Sequence, residues 1–457
     1  MDRRNYIEIL SEQIRCKKAL PLVTEELEDH IEEQKKDFMA EGMTEREAEE
    51  AAVREMGDPV EVGVDMDRIH RPKMNFLLMA FVGIMNLLGI AVLYFTNHYI
   101  VKNEVLYRPL SVYIFYAVVG FAIMTAVCYV DYTRIAYRAK EILIFGIFLM
   151  VAGENVFGTQ INGAKSFIAL PVGDIIMNTR MVQMLFIPVY CAILYSYRGQ
   201  GYSGFFKGVS WIIPILAVMV YDSNITEAII IFLPVFAVIL SFAVYKGYFR
   251  VSKRKVLSGI WGTMVLMPAI CAAIIWKWGA AYQSARLKMI LNPEKYAQEG
   301  SYQFFQIRKL LEGSRFVGRS AGFSEAINTV PDSGSLVLAH ITAYAGVLAA
   351  AAIIGIILLL MAKLIAITMR QKNQLGMIMG LGCGLVLLSH IFWYVLVNMG
   401  VMIPGYVYCP FLVCGGSGMI VTYILFGVML SVYRHQNVLK AEAPVAERMF
   451  VRRKCRG

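Results

Sequence analysis

The side chains able to do chemistry crowd into one polar stretch of an otherwise apolar chain. Residues 278–335 hold Tyr282, Gln283, Arg286, Asn292, Pro293, Glu294, Tyr302, Gln303 and Gln306, then a run punctuated by Gly313, Gly318 and Gly322. A loop this long inside a membrane protein is functional or disordered, and the retained aromatics and turn residues argue for a folded, functional one. Arg286 reads as half of a salt bridge or as a ligand contact in the outer loop. Asp332 sits in Pro-Asp-Ser-Gly, a turn before a helix with Asp or Ser as its N-cap. Lys165 reads as a solvated loop charge.

A second set lies within the apolar spans: Asn86, Glu154, Asn155, Glu227, His340, His390 and Asn398. Each must face protein or a wet cavity, because lipid would leave it unsatisfied. One such residue is inter-helix glue. Several near the outer ends of spans point to a hydrated, outward-opening cavity. No P-loop, Ser-His-Asp set or metal cage is apparent. His30, Glu33 and Asp37 suggest a metal at first sight, but they fit a solvated acidic helix face.

The elements that must position these residues are apolar helices. Hydrophobic residues make up 58% of the chain, charged residues 17%, and mean hydropathy is +0.56, well above a soluble chain. From Phe76 onward ten spans are long enough, or nearly so, to cross ~30 Å of hydrocarbon. Their cores are 76–96, 110–130, 141–158, 182–197, 208–221, 225–245, 257–277, 336–362, 374–397 and 410–433. Pro188, Pro214, Pro234, Pro268 and Pro404 are expected to kink or break helices. The fold class is all-α, a polytopic membrane protein with about ten transmembrane helices.

Charge is unevenly placed. Residues 1–73 hold 12 Lys/Arg against 20 Asp/Glu; the remainder holds 32 against 14. The basic excess therefore belongs to the membrane part and its loops, which fits positive-inside topology and contact with anionic lipid. No basic groove with interleaved aromatics suggests nucleic acid. Basic loops at 134–140, 197–207, 246–255 and 363–372, with the tail 436–457, place both termini in the cytoplasm and the 278–335 loop outside. The chain begins charged and helical, with no cleavable signal peptide apparent. The eight cysteines show neither zinc spacing nor a disulfide framework. No bridge is expected between Cys409 and Cys414.

Residues 1–73 read as a small cytosolic domain of three helices. Ile7, Leu10 and Ile14 mark the first; Thr24 opens a second with Leu27, Ile31 and Phe38; Thr44 and Glu47 form a capping box for a third, ending at Gly57 and Pro59. Met56-Gly57-Asp58-Pro59-Val60-Glu61-Val62-Gly63 and Ile69-His70-Arg71-Pro72 resemble the prefix domain that precedes permeases of Gram-positive bacteria, which implies a regulatory or docking module.

The membrane part, residues 74–435, carries a longer resemblance. Ala281–Glu294 (AYQSARLKMILNPE), Gly300–Gln306 (GSYQFFQ) and Glu312–Gly322 (EGSRFVGRSAG) resemble, in order, motifs of the SEDS family of FtsW, RodA and SpoVE. Asn162–Ile168 resembles the family's Gly-Ala-Arg-Arg-Trp-Ile, and Tyr221-Asp222 falls near its Pro-Asp-Leu-Gly-Thr. Asn398-Met399-Gly400 and Pro410–Ile420 resemble its last signature. The resemblance implies peptidoglycan synthesis in the bacterial cytoplasmic membrane, in elongation, division or sporulation. It implies binding of lipid II, its polymerisation by a glycosyltransferase reaction, and a class B penicillin-binding protein as partner.

In that reading Lys165 and Arg286 contact the diphosphate head group, with Tyr302, Gln303 and Gln306 lining the substrate site. No cofactor is certain, though a divalent cation could accompany the diphosphate. The sequence departs from the family at chemistry-bearing positions. Counting back from Gly346, the catalytic aspartate falls on Ser335, and the nearest carboxylate is Asp332, the candidate general base. The family's Gln-Pro-Ser-Glu falls on Met177-Asn178-Thr179-Arg180, and the following lysine on Gln183. Two glutamates of the eighth span become Ala343 and Tyr344; Ser-Tyr before Gly-Gly-Ser becomes Val413-Cys414. Three functions remain: a polymerase using Asp332, a catalytically inactive regulatory or scaffold partner, and a transporter of lipid-linked precursors.

Overall fold

The computed structural model describes residues 1–100, 110–161, 164–169, 176–222, 224–278, 281–298, 301–321, 323, 334–371, 373–403 and 406–436. Asp332, Pro404 and the tail from 437 onward lie outside the described residues.

The N-terminal domain has four helices, not three: Arg3–Gln13, Leu20–Ala40, Glu45–Glu55 and Pro59–His70. The reason is local. Gly57 does end the third helix, but Asp58 then accepts the Val60 N–H at 2.8 Å with Pro59 at the first helical position. That pair starts a helix as effectively as the glycine stops one. The second helix begins at Leu20, and Thr24 donates its hydroxyl back to the Leu20 carbonyl at 2.8 Å. The Thr44–Glu47 capping box is present. Tyr6, Leu10, Ile14, Val23, Leu27, Ile31 and Val53 form the domain's own core. His30, Glu33 and Asp37 are exposed, the solvated face expected of them.

Nine helices among the described residues are long and apolar enough to cross a membrane. The remaining expected span, 141–158, is the helix Ala139–Phe157, which carries Lys140, Glu141 and Glu154. The span expected at 336–362 is a correction: it is two helices, Val337–Ala345 and Val347–Met369, broken at Gly346 with φ +100°. The backbone groups freed there are stitched to the segment before it. Val347 donates to the Arg315 carbonyl at 3.0 Å, Gly318 to Ala345 at 3.1 Å and Ser320 to Ala343 at 2.7 Å. Non-helical backbone persists at such depth only where protein satisfies it.

Prolines explain other breaks. Pro188 and Pro214 each lack the N–H that would bond four residues back, and the chain turns at 184–185 and at Trp211. Pro234 follows a π-turn at Ala228–Phe232, whereas Pro268 stays inside the continuous helix Lys253–Trp278. The all-α expectation misses one small element. Strands β1 (Gly158–Ile161), β2 (Ala164–Ala169) and β3 (Ile176–Asn178) form an antiparallel sheet in that order, Thr159 opposite Phe167 and Ile168 opposite Met177.

The last membrane helix, Gly416–Arg434, packs against the first two. Tyr423 lies so close to Gly120 that a Cβ there would sit 2.0 Å from its ring. The Tyr423 hydroxyl donates to Asn86, and the Tyr113 hydroxyl donates to the Phe411 carbonyl at 2.9 Å. Asn86 is thus inter-helix glue. The Lys73 N–H donates to the Arg434 carbonyl at 3.3 Å, so the first membrane helix starts beside the end of the last. Cys409 and Cys414 are both free thiols.

Candidate functional site

The polar residues converge at the end of the bundle opposite Lys73 and Arg434. Asn178 ends β3 and caps the short helix Thr179–Gln183, its side chain accepting the Arg180 N–H at 3.1 Å. That cap aims Arg180 and Gln183 toward the turn after the helix Ile212–Tyr221. Arg180 Nε donates to Ser166 Oγ on β2 at 3.0 Å, and Ser166 Oγ donates to the Asp222 carbonyl at 2.9 Å. The Gln183 amide donates to the Asp222 carboxylate. Asn224 Nδ2 reaches both Gln183 Oε1 and Glu227 Oε2 at 3.1 Å. Arg180 Nη1 lies 3.7 Å from Glu227 Oε1, and its guanidinium stands 5.9 Å over the Tyr406 ring.

Asp222, Asn224 and Glu227 are all buried. Arg180 thus lies beside two carboxylates, Asp222 and Glu227, and Glu154 neighbours Asp222. Burial holds the Asp222 carboxyl well above the usual carboxylate range, and the neighbouring Glu154 carboxyl pushes it the same way. Both Glu154 oxygens are buried with no hydrogen-bond partner among the described residues. With its carboxyl raised in this way, Asp222 keeps its proton beside Glu154.

The candidates taken from sequence do not all meet here. Lys165 lies on β2, next to Ser166, and Arg286 lies on the helix Ala281–Leu291; both side chains are outside the described residues. Tyr302, Gln303 and Gln306 share the helix Tyr302–Leu311, whose other face buries Phe304, Ile307 and Leu310. That helix packs beside Val337–Ala345, and among the described residues it makes no comparable packing with the elements of the Arg180 cluster. A groove of about 400 Å³ runs along it, lined by Phe305, Arg308, Lys309, Leu311, Glu312 and Met399. Asp332 lies outside the described residues. Ser335 is half-buried, its carbonyl accepting Asn398 Nδ2 at 3.3 Å while Asn398 Oδ1 takes the Ala339 N–H at 3.1 Å. Asn398 thus fixes the start of the helix that follows Ser335.

Sequence reasoning missed Ser166 and Asn224, and it marked Arg180, Gln183 and Asp222 only as departures or near-matches. The usable signal was a run of polar residues at span ends, with Glu154 and Glu227 already flagged as too costly to face lipid.

Residues 73–438 match the profile of a family described as "Cell cycle protein", that of FtsW, RodA and SpoVE. The chain belongs to this FtsW/RodA/SpoVE family. Among relatives, a probable peptidoglycan glycosyltransferase FtsW from Geobacter sp. (strain M18) is 24% identical over 325 residues, 69% of this chain and 84% of that one. The peptidoglycan glycosyltransferase MrdB of Escherichia coli (strain K12) is 27% identical over 187 residues, 39% of this chain and 49% of its own length. Two solved structures share the FtsW/RodA/SpoVE fold. A chain of a peptidoglycan synthase complex coordinating polymerization and crosslinking gives TM-score 0.61 at 18% identity, covering 79% of this chain and 98% of that one. RodA of Thermus thermophilus gives 0.51 at 15% identity, covering 79% and 97%.

Proposed function

We propose that this chain works in peptidoglycan synthesis at the outer face of the bacterial cytoplasmic membrane, binding lipid II and polymerising it with a class B penicillin-binding protein as partner. The observation that carries this is the Arg180–Glu227 pair beside Asp222. Read against the family, Arg180 replaces a glutamate and Gln183 a lysine, yet the site still holds a cation among carboxylates. Charge reversal at one position is offset by Glu227. A cation at the mouth of an apolar bundle suits a diphosphate joined to a lipid tail.

In the reaction the acceptor sugar hydroxyl attacks C1 of the donor sugar. Its proton passes to a carboxylate, and the lipid diphosphate leaves with the C1–O electron pair. Asp332 is the proposed base, with Lys165 and Arg286 as head-group contacts and Tyr302, Gln303 and Gln306 along the path. Among the described residues no group of three His, Cys, Asp or Glu could hold a metal ion. A divalent cation would therefore be held chiefly by the diphosphate, and no step is routed through it. The basic loops favour cytoplasmic termini, and the Lys73–Arg434 contact supports both ends of the bundle lying on one side.

A second reading has its own observation. Ser335, which stands at the family's aspartate position, carries a hydroxyl where a general base needs a carboxylate. This favours a regulatory or scaffold partner that binds lipid II without polymerising it. Glycan polymerisation from purified lipid II, alone and with candidate penicillin-binding partners, separates the two. Polymer from wild type that is lost in Asp332→Ala supports the enzyme. Lipid II binding without polymer under every pairing supports the partner.

A further inference from the structure

A basic pocket opens at the opposite end of the bundle from the Arg180 cluster. It measures about 610 Å³ and is lined by Thr133, Arg134, Tyr137 and Arg138. These residues lie on and just after the short helix Tyr132–Tyr137, which joins two membrane helices, Leu110–Tyr129 and Ala139–Phe157. The pairs 133/137 and 134/138 are four residues apart, so all four side chains fall on one side. From Arg138 to Glu154 the helix rises about 24 Å, which separates the pocket from the first site.

The pocket's cations are available. Arg134 and Arg138 are exposed. Among the described residues neither guanidinium makes a hydrogen bond or ion pair. The expected partner of Arg134 is Asp131, three residues earlier, a spacing at which opposite charges pair on a helix. Asp131 is instead committed elsewhere. It is 7% exposed, accepts the Thr133 N–H at 2.9 Å and hydroxyl at 2.7 Å, and is paired with Lys18 of the N-terminal domain. Lys18 therefore neutralises the carboxylate that would otherwise pair with Arg134.

The surroundings are those of a bilayer interface. Tyr137 is 89% exposed, and Tyr129, also exposed, carries the Arg434 guanidinium 4.1 Å over its ring. Exposed tyrosines beside arginines at the ends of membrane helices sit at head-group level. Two unpaired guanidiniums there match phosphate oxygens, which arginine holds bidentately.

We propose that this pocket binds the phosphate head group of an anionic phospholipid in the leaflet next to the N-terminal domain, and that docking of that domain through Lys18 and binding of the head group favour each other. Reciprocity follows from linkage: whatever Lys18 adds to lipid affinity, the lipid adds to docking. Neither half depends on whether the outer site polymerises glycan.

The test uses the purified full-length protein in a neutral detergent, titrated with phosphatidylglycerol, phosphatidylcholine or inorganic phosphate. Bound lipid is counted by native mass spectrometry, and the unfolding midpoint is followed in parallel. Phosphatidylglycerol is expected to bind and raise the midpoint, with phosphatidylcholine and phosphate inert. R134Q/R138Q should weaken binding on the order of tenfold or more. K18Q should weaken it severalfold without touching the pocket, and R254Q, an exposed arginine in the first turn of the helix Lys253–Trp278, should change nothing. R134K/R138K keeps the charge and serves if the double glutamine variant does not fold; it should lose part of the affinity with the bidentate geometry. Equal binding of both lipids, an unaffected double variant, or an equal loss in R254Q would overturn the site. Inorganic phosphate matching the lipid would overturn the lipid assignment. K18Q binding like wild type would overturn the coupling.

Discussion

Arg180 and Glu227 face each other at one end of the membrane bundle, Nη1 3.7 Å from Oε1, with side chains only 11% and 5% exposed. Removing one partner of a buried pair costs more than removing both, because the survivor keeps its charge in a dry site. Arg180→Gln is expected to destabilise the protein by about 3–5 kcal/mol, and Arg180→Gln with Glu227→Gln to recover most of it. Thermal unfolding in detergent reads both, and an unchanged midpoint in the single variant would show the pair to be structurally idle.

The proton kept by Asp222 predicts a pH dependence. Asp222 is raised above its unfolded value, so its contribution is fully present below about pH 4 and is lost as pH rises toward the raised value. Stability should therefore decline through the neutral range in wild type. Asp222→Asn should flatten that decline, and an identical slope in the variant would refute the raised Asp222 carboxyl.

The break at Gly346 should tolerate no side chain. Its φ is +100°, and a Cβ would lie 2.5 Å from the Phe316 carbonyl oxygen, which is backbone and cannot move aside. Gly346→Ala is expected to cost about 3 kcal/mol or more, strain and clash together. Gly355→Ala, where a Cβ meets nothing within 4 Å, should be neutral or slightly stabilising by helix propensity.

Ser335 offers a gain-of-function test. Asn398 already holds its carbonyl, so the backbone at the family's aspartate position is fixed. If Asp332 is the base, Ser335→Asp should restore polymerisation to Asp332→Ala by at least about 100-fold, the usual worth of a general base. If the chain is an inactive partner, the same substitution should create polymer where wild type gives none. No change in either background would mean that position 335 does not reach the substrate.

Much of the scaffold was legible because hydropathy is a local signal. Ten apolar runs stand out, and ten corresponding stretches are helical, although Lys140, Glu141 and Glu154 leave Ala139–Phe157 below the usual test for a span. The break in 336–362 was not legible, since residues on both sides of Gly346 are apolar and a single glycine is tolerated in many helices. Gly57-Asp58-Pro59 both ends one helix and caps the next, a double role that the Gly-then-Pro pattern does not reveal. The site was half legible. Glu154 and Glu227 drew notice because lipid cannot satisfy them. The meeting of Glu227 with Arg180 and of Glu154 with Asp222 spans 47 and 68 positions of sequence, which no periodicity encodes.

The placement of the last membrane helix bears on biogenesis. Asn86 and Tyr113 emerge early from the ribosome, yet their partners are Tyr423 and the Phe411 carbonyl. A nascent chain therefore holds two polar side chains without their mates for some three hundred residues of synthesis. During that interval the first two helices need water, a lipid head group or an insertion chaperone to shelter them. Truncation before Gly416 should leave an unfinished bundle that membrane proteases can recognise.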